Sequence, residues 1–471
     1  MDASAPTRLP SAGGATLRSW YLYDVAISVI DALMITFVFT TYLTSEAFGS
    51  PEHTSQVLSR GTVVAAVVIA FLAPLVGWLS DRTGRRAVAI AVLTGISVAC
   101  TAACVLVRPE EQLLLLGVGL LSAANAAKEL AVVDYYAVLP RLAPRESIGR
   151  VSGRGWAAGY IGSILATAFV LFGFVTPGFL GLPTAGALNV RAVALFCAVW
   201  CAVFAVPLVL TLHRAESRQR AADRAAGRAT GRATGRAASA IRADAPARPA
   251  GTGLLTPYRE VLRLVTVLWR DDRRALHFLA ASAVFRDGLS AVFTFGGVIA
   301  AGTFGFSLGE VMVFAIAGNL VAGLGALLGG QLDDRIGPKP VIVGALVLVV
   351  VAGTPLIVLE PKAAFWVCGL LLCLAVGPAQ ASSRSYLGRL STDGTEGSLY
   401  GLYATTGRAV SFLAPLLFGL AIGLFGEQRF GIVGILVVIV LGLAMMLGLP
   451  RRPQATTTAA AVTIGAVSAR R

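Results

Sequence analysis

The sequence predicts an all-α membrane protein of twelve transmembrane helices in two pseudo-symmetric six-helix bundles. Three observations lead there. Of 471 residues, 56% are hydrophobic and only 14% charged, against about 25% charged in ordinary soluble domains. Apolar runs recur at the length of about 20 residues that a bilayer-crossing helix needs. They fall into two sets of six around a polar interval at 213–274. This composition excludes an ordinary cytosolic enzyme, a disordered chain and a disulfide scaffold. The six cysteines all sit in or beside apolar runs, without His or carboxylate neighbours, and are read as small apolar residues.

The first set of runs lies near 20–42, 59–79, 87–107, 112–136, 153–175 and 190–212. The second lies near 275–300, 310–330, 340–359, 363–386, 399–424 and 428–450. The expected organisation is therefore a tail at 1–19, a bundle at 20–212, a linker at 213–274, a bundle at 275–450 and a tail at 451–471. The polar start lacks the charged-then-apolar pattern of a cleaved signal, so the first run is read as a retained span. The stretch 176–189 is rich in Gly and Pro and reads as an outer loop.

Orientation follows from the cations. Arg82, Arg85 and Arg86 follow the second run, Arg141, Arg145 and Arg150 the fourth, Arg335 and Lys339 the eighth, Arg389 the tenth. Glu46, Glu52, Glu110, Glu111, Glu360 and Glu427 mark the alternate loops. The positive-inside rule then places both termini and the linker in the cytoplasm of a plasma (inner) membrane protein. The net charge of +14 reports topology by this reading, and no nucleic-acid partner is expected. Within the linker, 220–251 is low-complexity Ala/Gly/Arg and reads as a solvated tether. From Pro257, Tyr258, Val261, Leu262, Val265, Leu268 and Trp269 form a helical stripe opposite Arg259, Glu260, Arg263 and Arg270. That pattern predicts an amphipathic helix on the inner membrane face.

The halves repeat one another. Gly77, Asp81, Arg82, Gly84 and Arg86 align with Gly330, Asp334, Arg335, Gly337 and Lys339 at an offset of 253. Gly153 and Gly159 align with Gly401 and Gly407 at an offset of 248. Duplicated six-helix units are what a carrier with two rocking halves requires. Gly77 permits close helix approach, Gly84 a tight turn, and the Asp and Arg of this loop cytoplasmic ion pairs able to hold one conformation shut and to break in the other. Gly77, Asp81, Arg82, Gly84, Arg85, Asp134, Asp334, Arg335 and Gly337 are thus candidate gating residues, with Asp134 expected to pair with Arg82 or Arg85.

The Gly-x-x-x-Asp-Arg-x-Gly-Arg-Arg loop at 77–86 resembles the signature of the major facilitator superfamily. Further segments narrow the likeness: Trp20-Tyr-Leu-Tyr-Asp24, Ile148 to Gly153, Gly155-Trp-Ala-Ala-Gly159-Tyr160, Asp287-Gly288, Ser382-Ser-Arg384-Ser385, Tyr400-Gly-Leu-Tyr403 and Ser411 to Gly419. Together they are similar to the vacuolar amino-acid effluxer-like permeases, a branch of that superfamily with bacterial members. The resemblance implies the major facilitator fold and amino-acid transport. The chain departs from the usual pattern in having Val25-Ala26-Ile27-Ser28 for Trp-Ala-Asn-Ser, and Arg286 for the Asn before Asp287-Gly288.

Charges inside the runs supply candidate site residues, because each costs at least about 2.5–3.5 kcal/mol in the bilayer centre without a partner or a wet cavity. Asp24 and Asp31 share one face of the first helix, two turns apart. Asp31, Lys128, Glu129, Arg286, Asp287 and Arg408 lie deeper, and either neutralise one another or line a central cavity. In the second case Arg286 or Arg408 holds an anionic group, and Asp31, Glu129 or Asp287 carries a coupling proton. The sequence contains no nucleotide-binding loop and no hydrolase or metalloprotease motif. The expectation is a non-enzymatic, monomeric secondary transporter without cofactor or metal, moving a small polar solute (an amino acid or related organic anion) by proton-coupled alternating access. A lipid or lipophilic-compound transporter of the same fold is the alternative, and a membrane-embedded enzyme a weaker one.

Overall fold

Helix dominates because a chain in lipid must satisfy its backbone polar groups internally. The computed structural model describes residues 14–175, 181–234, 256–271, 273–306, 308–391 and 395–450, and no strand occurs among them. Among the described residues, twelve helices are long and apolar enough to cross a membrane. Spans 1 to 6 are Gly14–Leu43, Val57–Thr83, Arg86–Leu106, Glu111–Leu142, Ile148–Phe174 and Ala185–Ala222. Spans 7 to 12 are Arg273–Gly297, Val313–Ile336, Pro338–Ile357, Lys362–Leu390, Glu396–Phe425 and Gln428–Leu447. Large side chains such as Phe71, Leu115, Val351 and Leu424 remain exposed on the outer faces, as a lipid-facing surface requires.

Spans 1 to 6 pack chiefly on one another, as do spans 7 to 12. The two groups meet along a seam where span 2 lies on span 11 and span 5 on span 8, with span 10 on span 5 and span 4 on span 11. Glycine makes that contact close. A Cβ at Gly77 would stand 2.0 Å from the carbonyl oxygen of Gly397, and one at Gly330 would stand 2.6 Å from that of Gly149. Gly153 against Ala326 and Gly401 against Ala73 extend the seam in the same way.

Two spans are irregular where they pass the centre. Span 1 changes from α-helix, Gly14–Val29, to π-helix at Ile30–Phe37 and back to α at Phe39–Leu43. Span 11 breaks between Glu396–Val410 and Leu413–Phe425. Such departures leave backbone groups to be satisfied by side chains and mark sites of bending.

The helix of span 6 runs on to Thr234, into the interval expected to be a solvated tether. There Glu216 accepts from the Ala87 amide at 3.0 Å, so the extension caps the start of span 3. Residues 235–255 of that tether, 176–180 of the expected outer loop and the tail at 451–471 lie outside the described residues. The amphipathic segment forms a helix, Thr256–Asp271, that lies against spans 2 and 7 and donates from the Tyr258 hydroxyl to the Phe71 carbonyl at 3.3 Å.

The seam generates a test. A methyl group at position 77 cannot be accommodated while Gly397 stays where it is, and overpacking costs about 1–3 kcal/mol. Gly77→Ala should lower the population with this seam closed by roughly tenfold, the factor that about 1.4 kcal/mol confers. Spin-label distances between the loops after spans 2 and 10 would show it as a longer component, and an unchanged distribution would remove the steric account.

Candidate functional site

At the end of the molecule carrying the signature loops, the seam is locked by helix termini. The first amides of a helix lack intrahelical acceptors and carry partial positive charge. Asp81 of span 2 accepts from the amides of Gly397 (2.9 Å) and Ser398 (2.8 Å) and from the Ser398 hydroxyl (2.9 Å), all in the first turn of span 11. Asp334 does the same for span 5, accepting from the amides of Gly149 (2.9 Å) and Arg150 (3.1 Å). The Arg150 guanidinium adds a bond of 2.8 Å to Asp334.

Buried cations tie these caps together. Arg86 bonds Asp81 and lies 3.3 Å from Glu396 and 3.7 Å from Asp134. Arg141 donates to Glu396 at 3.1 Å, and Ser80 donates to Asp134 at 2.6 Å. On the other side Arg389 bonds Asp333, lies 3.3 Å from Asp334 and donates to the Arg145 carbonyl at 3.1 Å.

The expected pairing of Asp134 with Arg82 or Arg85 is not the one formed. Gly84 adopts a left-handed turn, φ +62°, that points Arg85 outward and brings Arg86 inward. Arg82 is exposed, with its guanidinium 5.2 Å from the centre of the Trp78 ring. Arg335 is likewise exposed, and Gly337 (φ +93°) makes the corresponding turn. The repeat also breaks at its last member: Lys339, aligned with Arg86, caps the end of span 12 through the Leu447 carbonyl at 2.7 Å.

One layer further in, span 10 inserts Arg384 into the other half. Its guanidinium, 1% exposed, donates to the Ser152 hydroxyl (2.9 Å) and carbonyl (2.6 Å) and lies 3.5 Å from Asp24. The rings of Trp20 and Tyr136 stand 4.6 and 5.0 Å from it, within cation–π range. Gly155 leaves the space: a Cβ there would fall 2.3 Å from Asp24 and 2.9 Å from Arg384.

Above this floor lies a cavity of about 590 Å³ between the halves, within the range of small-molecule sites. Asp24, Asp31, Lys128, Glu129, Arg286, Asp287 and Arg408 all line it, with Trp156, Tyr160, Asn319, Gln380 and Tyr403. Four of the charges form a chain. Lys128, 3% exposed, bonds Asp31 and lies 2.8 Å from Glu129, and Arg408 of span 11 reaches Glu129 at 3.0 Å. That last bond crosses between the halves.

Arg286 and Asp287 stand apart from the chain. Arg286 lies over the Tyr403 ring, 3.9 Å from its centre, and its Nε and Nη1 are buried with no hydrogen-bond partner among the described residues. Asp287 accepts from the amide of Ala414 at 2.7 Å. Among the described residues no cluster of His, Cys, Asp and Glu could hold a metal.

Two helical bundles meeting around a polar cavity define a transporter of the major facilitator superfamily. Solved structures agree on the fold. The proton:xylose symporter XylE superposes with a TM-score of 0.68 at 14% identity, covering 94% of this chain and 97% of that one. The human organic anion transporter MFSD10 gives 0.64 at 15%, covering 93% and 100%. A family model described as vacuole effluxer Atg22-like matches residues 46–458, and the chain belongs to that family. A curated relative, the uncharacterized MFS-type transporter YxiO of Bacillus subtilis (strain 168), is 23% identical over 444 residues, 92% of this chain and 94% of that protein. The chain is thus a multi-pass membrane protein and a secondary transporter of that fold.

Asp81 accepts four hydrogen bonds, as Asp334 does, three of them from the first turn of span 11. Hydrogen bonds to a charged group contribute about 1.5–3 kcal/mol each, so Asp81→Ala should reduce transport at least tenfold while membrane expression stays near wild type. Uptake by vesicles containing the variant, normalised to protein, measures this, and near-normal uptake would deny Asp81 a gating role.

Proposed function

We propose that the protein carries a small solute bearing a carboxylate, an amino acid or related organic anion, by proton-coupled alternating access. Arg286 carries the reading. It is a cation at the cavity wall with two nitrogens lacking acceptors, and such groups are costly unless something comes to pair with them. A carboxylate matches the guanidinium fork in geometry and charge. Arg408, the other candidate anion site, already has Glu129 as its partner.

Proton coupling is assigned to Asp31 and Glu129. Their chain with Lys128 and Arg408 holds two acids and two bases, so its formal charge balances. Adding a proton to Glu129 removes the partner that Arg408 reaches across the seam. Loading a proton therefore loosens a contact between the halves on the cavity side. By the distribution of cations, the locked end faces the cytoplasm and the cavity is served from the opposite side. The protein acts in this reading as a monomer in the plasma membrane.

Purified protein in liposomes tests the proposal, with a radiolabelled mixture of amino acids and organic acids offered with and without an inward proton gradient. Uptake should be stimulated by the gradient. Arg286→Ala should raise KM for amino acids at least tenfold but alter competition by the matched carboxamides less than threefold; equal loss for both would make Arg286 a structural residue. Glu129→Gln should abolish stimulation by the gradient and retain solute exchange. Movement of labelled lipid in place of soluble solute would favour the lipid-transporter reading.

A further inference from the structure

Asp287 is the deep acid that the coupling chain leaves out. It sits on span 7, is 9% exposed and forms no ion pair among the described residues. Its Oδ2 instead accepts from the Ala414 amide at 2.7 Å. Ala414 lies in the first turn of the second half of span 11, Leu413–Phe425, whose preceding residue Phe412 has no side chain able to cap it. The first amides of a helix need acceptors from elsewhere, and this one has found its acceptor on another span.

The neighbouring residue grips the other side of the break. Arg286 lies on Tyr403 in the first half of span 11, Glu396–Val410, with its Nη1 beside Gly407, where a Cβ would stand in ordinary contact at 3.5 Å. Consecutive residues of span 7 therefore clasp span 11 before and after its interruption. Ser411, within the interruption, lines the cavity. So does Arg408, one turn earlier.

We propose that Asp287 is a positioning residue: its bond to the Ala414 amide fixes the break in span 11 and so sets where Arg286, Tyr403 and Arg408 stand in the cavity. What this role needs is an acceptor oxygen at that place. A negative charge that titrates is not required. Asparagine keeps such an oxygen and alanine removes it, so the two substitutions separate a positioning role from proton carriage. The consequence for affinity rests on the reading of Arg286 as the anion site; the consequence for the break does not.

Hydrogen–deuterium exchange of the full-length protein, followed on peptides covering 411–417, tests the bond without any ligand. In the wild type the Ala414 amide should exchange slowly for a first-turn position. Asp287→Ala should accelerate it at least tenfold, and Asp287→Asn should stay within threefold of wild type. The same order should appear when the thiol of Ser411→Cys attacks a cationic methanethiosulfonate, forming a mixed disulfide and releasing methanesulfinate: a fivefold or greater change in rate beside Asp287→Ala, and little beside Asp287→Asn. In liposomes Asp287→Asn should retain gradient-driven uptake. Equal exchange in wild type and Asp287→Ala would overturn the proposal, as would an Asn variant as damaged as the Ala variant in exchange and thiol modification. If both protein readouts follow the expected order while Arg286→Ala fails to distinguish acids from carboxamides, the substrate reading falls and the positioning role stands.

Discussion

A carboxylate from one helix capping the exposed amides of another is the interaction on which this architecture depends. Asp81 caps span 11 and Asp334 caps span 5 across the seam. Glu216 caps span 3 and Asp287 the second half of span 11. Each case joins an acid that would be expensive to bury alone to amides that have no intrahelical acceptor. The pairing resolves both problems at once, and it is directional: the carboxylate must arrive at the helix end, in line with the free amides. Two six-helix bundles in lipid gain little from the hydrophobic effect on meeting, because lipid tails are as apolar as leucine. Close glycine contacts and polar caps therefore decide whether the seam is shut.

In the alternating-access reading proposed above, the caps make closure at this end reversible. A seam of large interlocking side chains would separate at the expense of extensive packing. Here the contact is backbone on backbone at Gly77–Gly397 and Gly330–Gly149, reinforced by Arg86, Arg141 and Arg389. When the halves part, water can take over the amides, the carboxylates and the guanidiniums alike. Arg384 forms a second layer of the same kind, with the Ser152 backbone, the Asp24 carboxylate and aromatic faces replacing its hydration.

Much of this was legible in the chain. The offset of 253 aligns Asp81 with Asp334, and the offset of 248 carries residues 397 and 398 onto 149 and 150, the amides that those two acids cap. The twelve spans and the inward collection of Asp31, Lys128, Glu129 and Arg408 follow from helical spacing and the expense of buried charge. The choice among neighbouring cations was not legible. Arg82, Arg85 and Arg86 are equivalent as residue types, and only the left-handed turn at Gly84 selects Arg86 for the interior. Glu396 looks like a loop acid before an apolar run, although an acid in the first turn of a helix is itself a recognisable signal. Arg384 and Arg389 could be placed near a membrane boundary, but their partners come from other spans, 232 and 360 residues away for Arg384 and 55 to 244 for Arg389, and local pattern carries no record of that.

The irregular helices give the cavity its asymmetry. At the signature end the spans are regular and their termini are capped, so that end opens or shuts as rigid halves. Beside the cavity, span 1 loosens into π-helix around Asp31 and span 11 breaks just after Arg408. Both irregular segments carry a member of the charge chain, Asp31 on one and Arg408 on the other, joined through Lys128 and Glu129. A change in charge at Glu129 therefore acts on the irregular stretches of spans 1 and 11, whereas a change at Asp81 acts on the end of span 2 and the regular first turn of span 11. In the carrier reading proposed above, that difference lets a solute or proton in the centre act through local bending, while the far end closes by movement of the bundles as units.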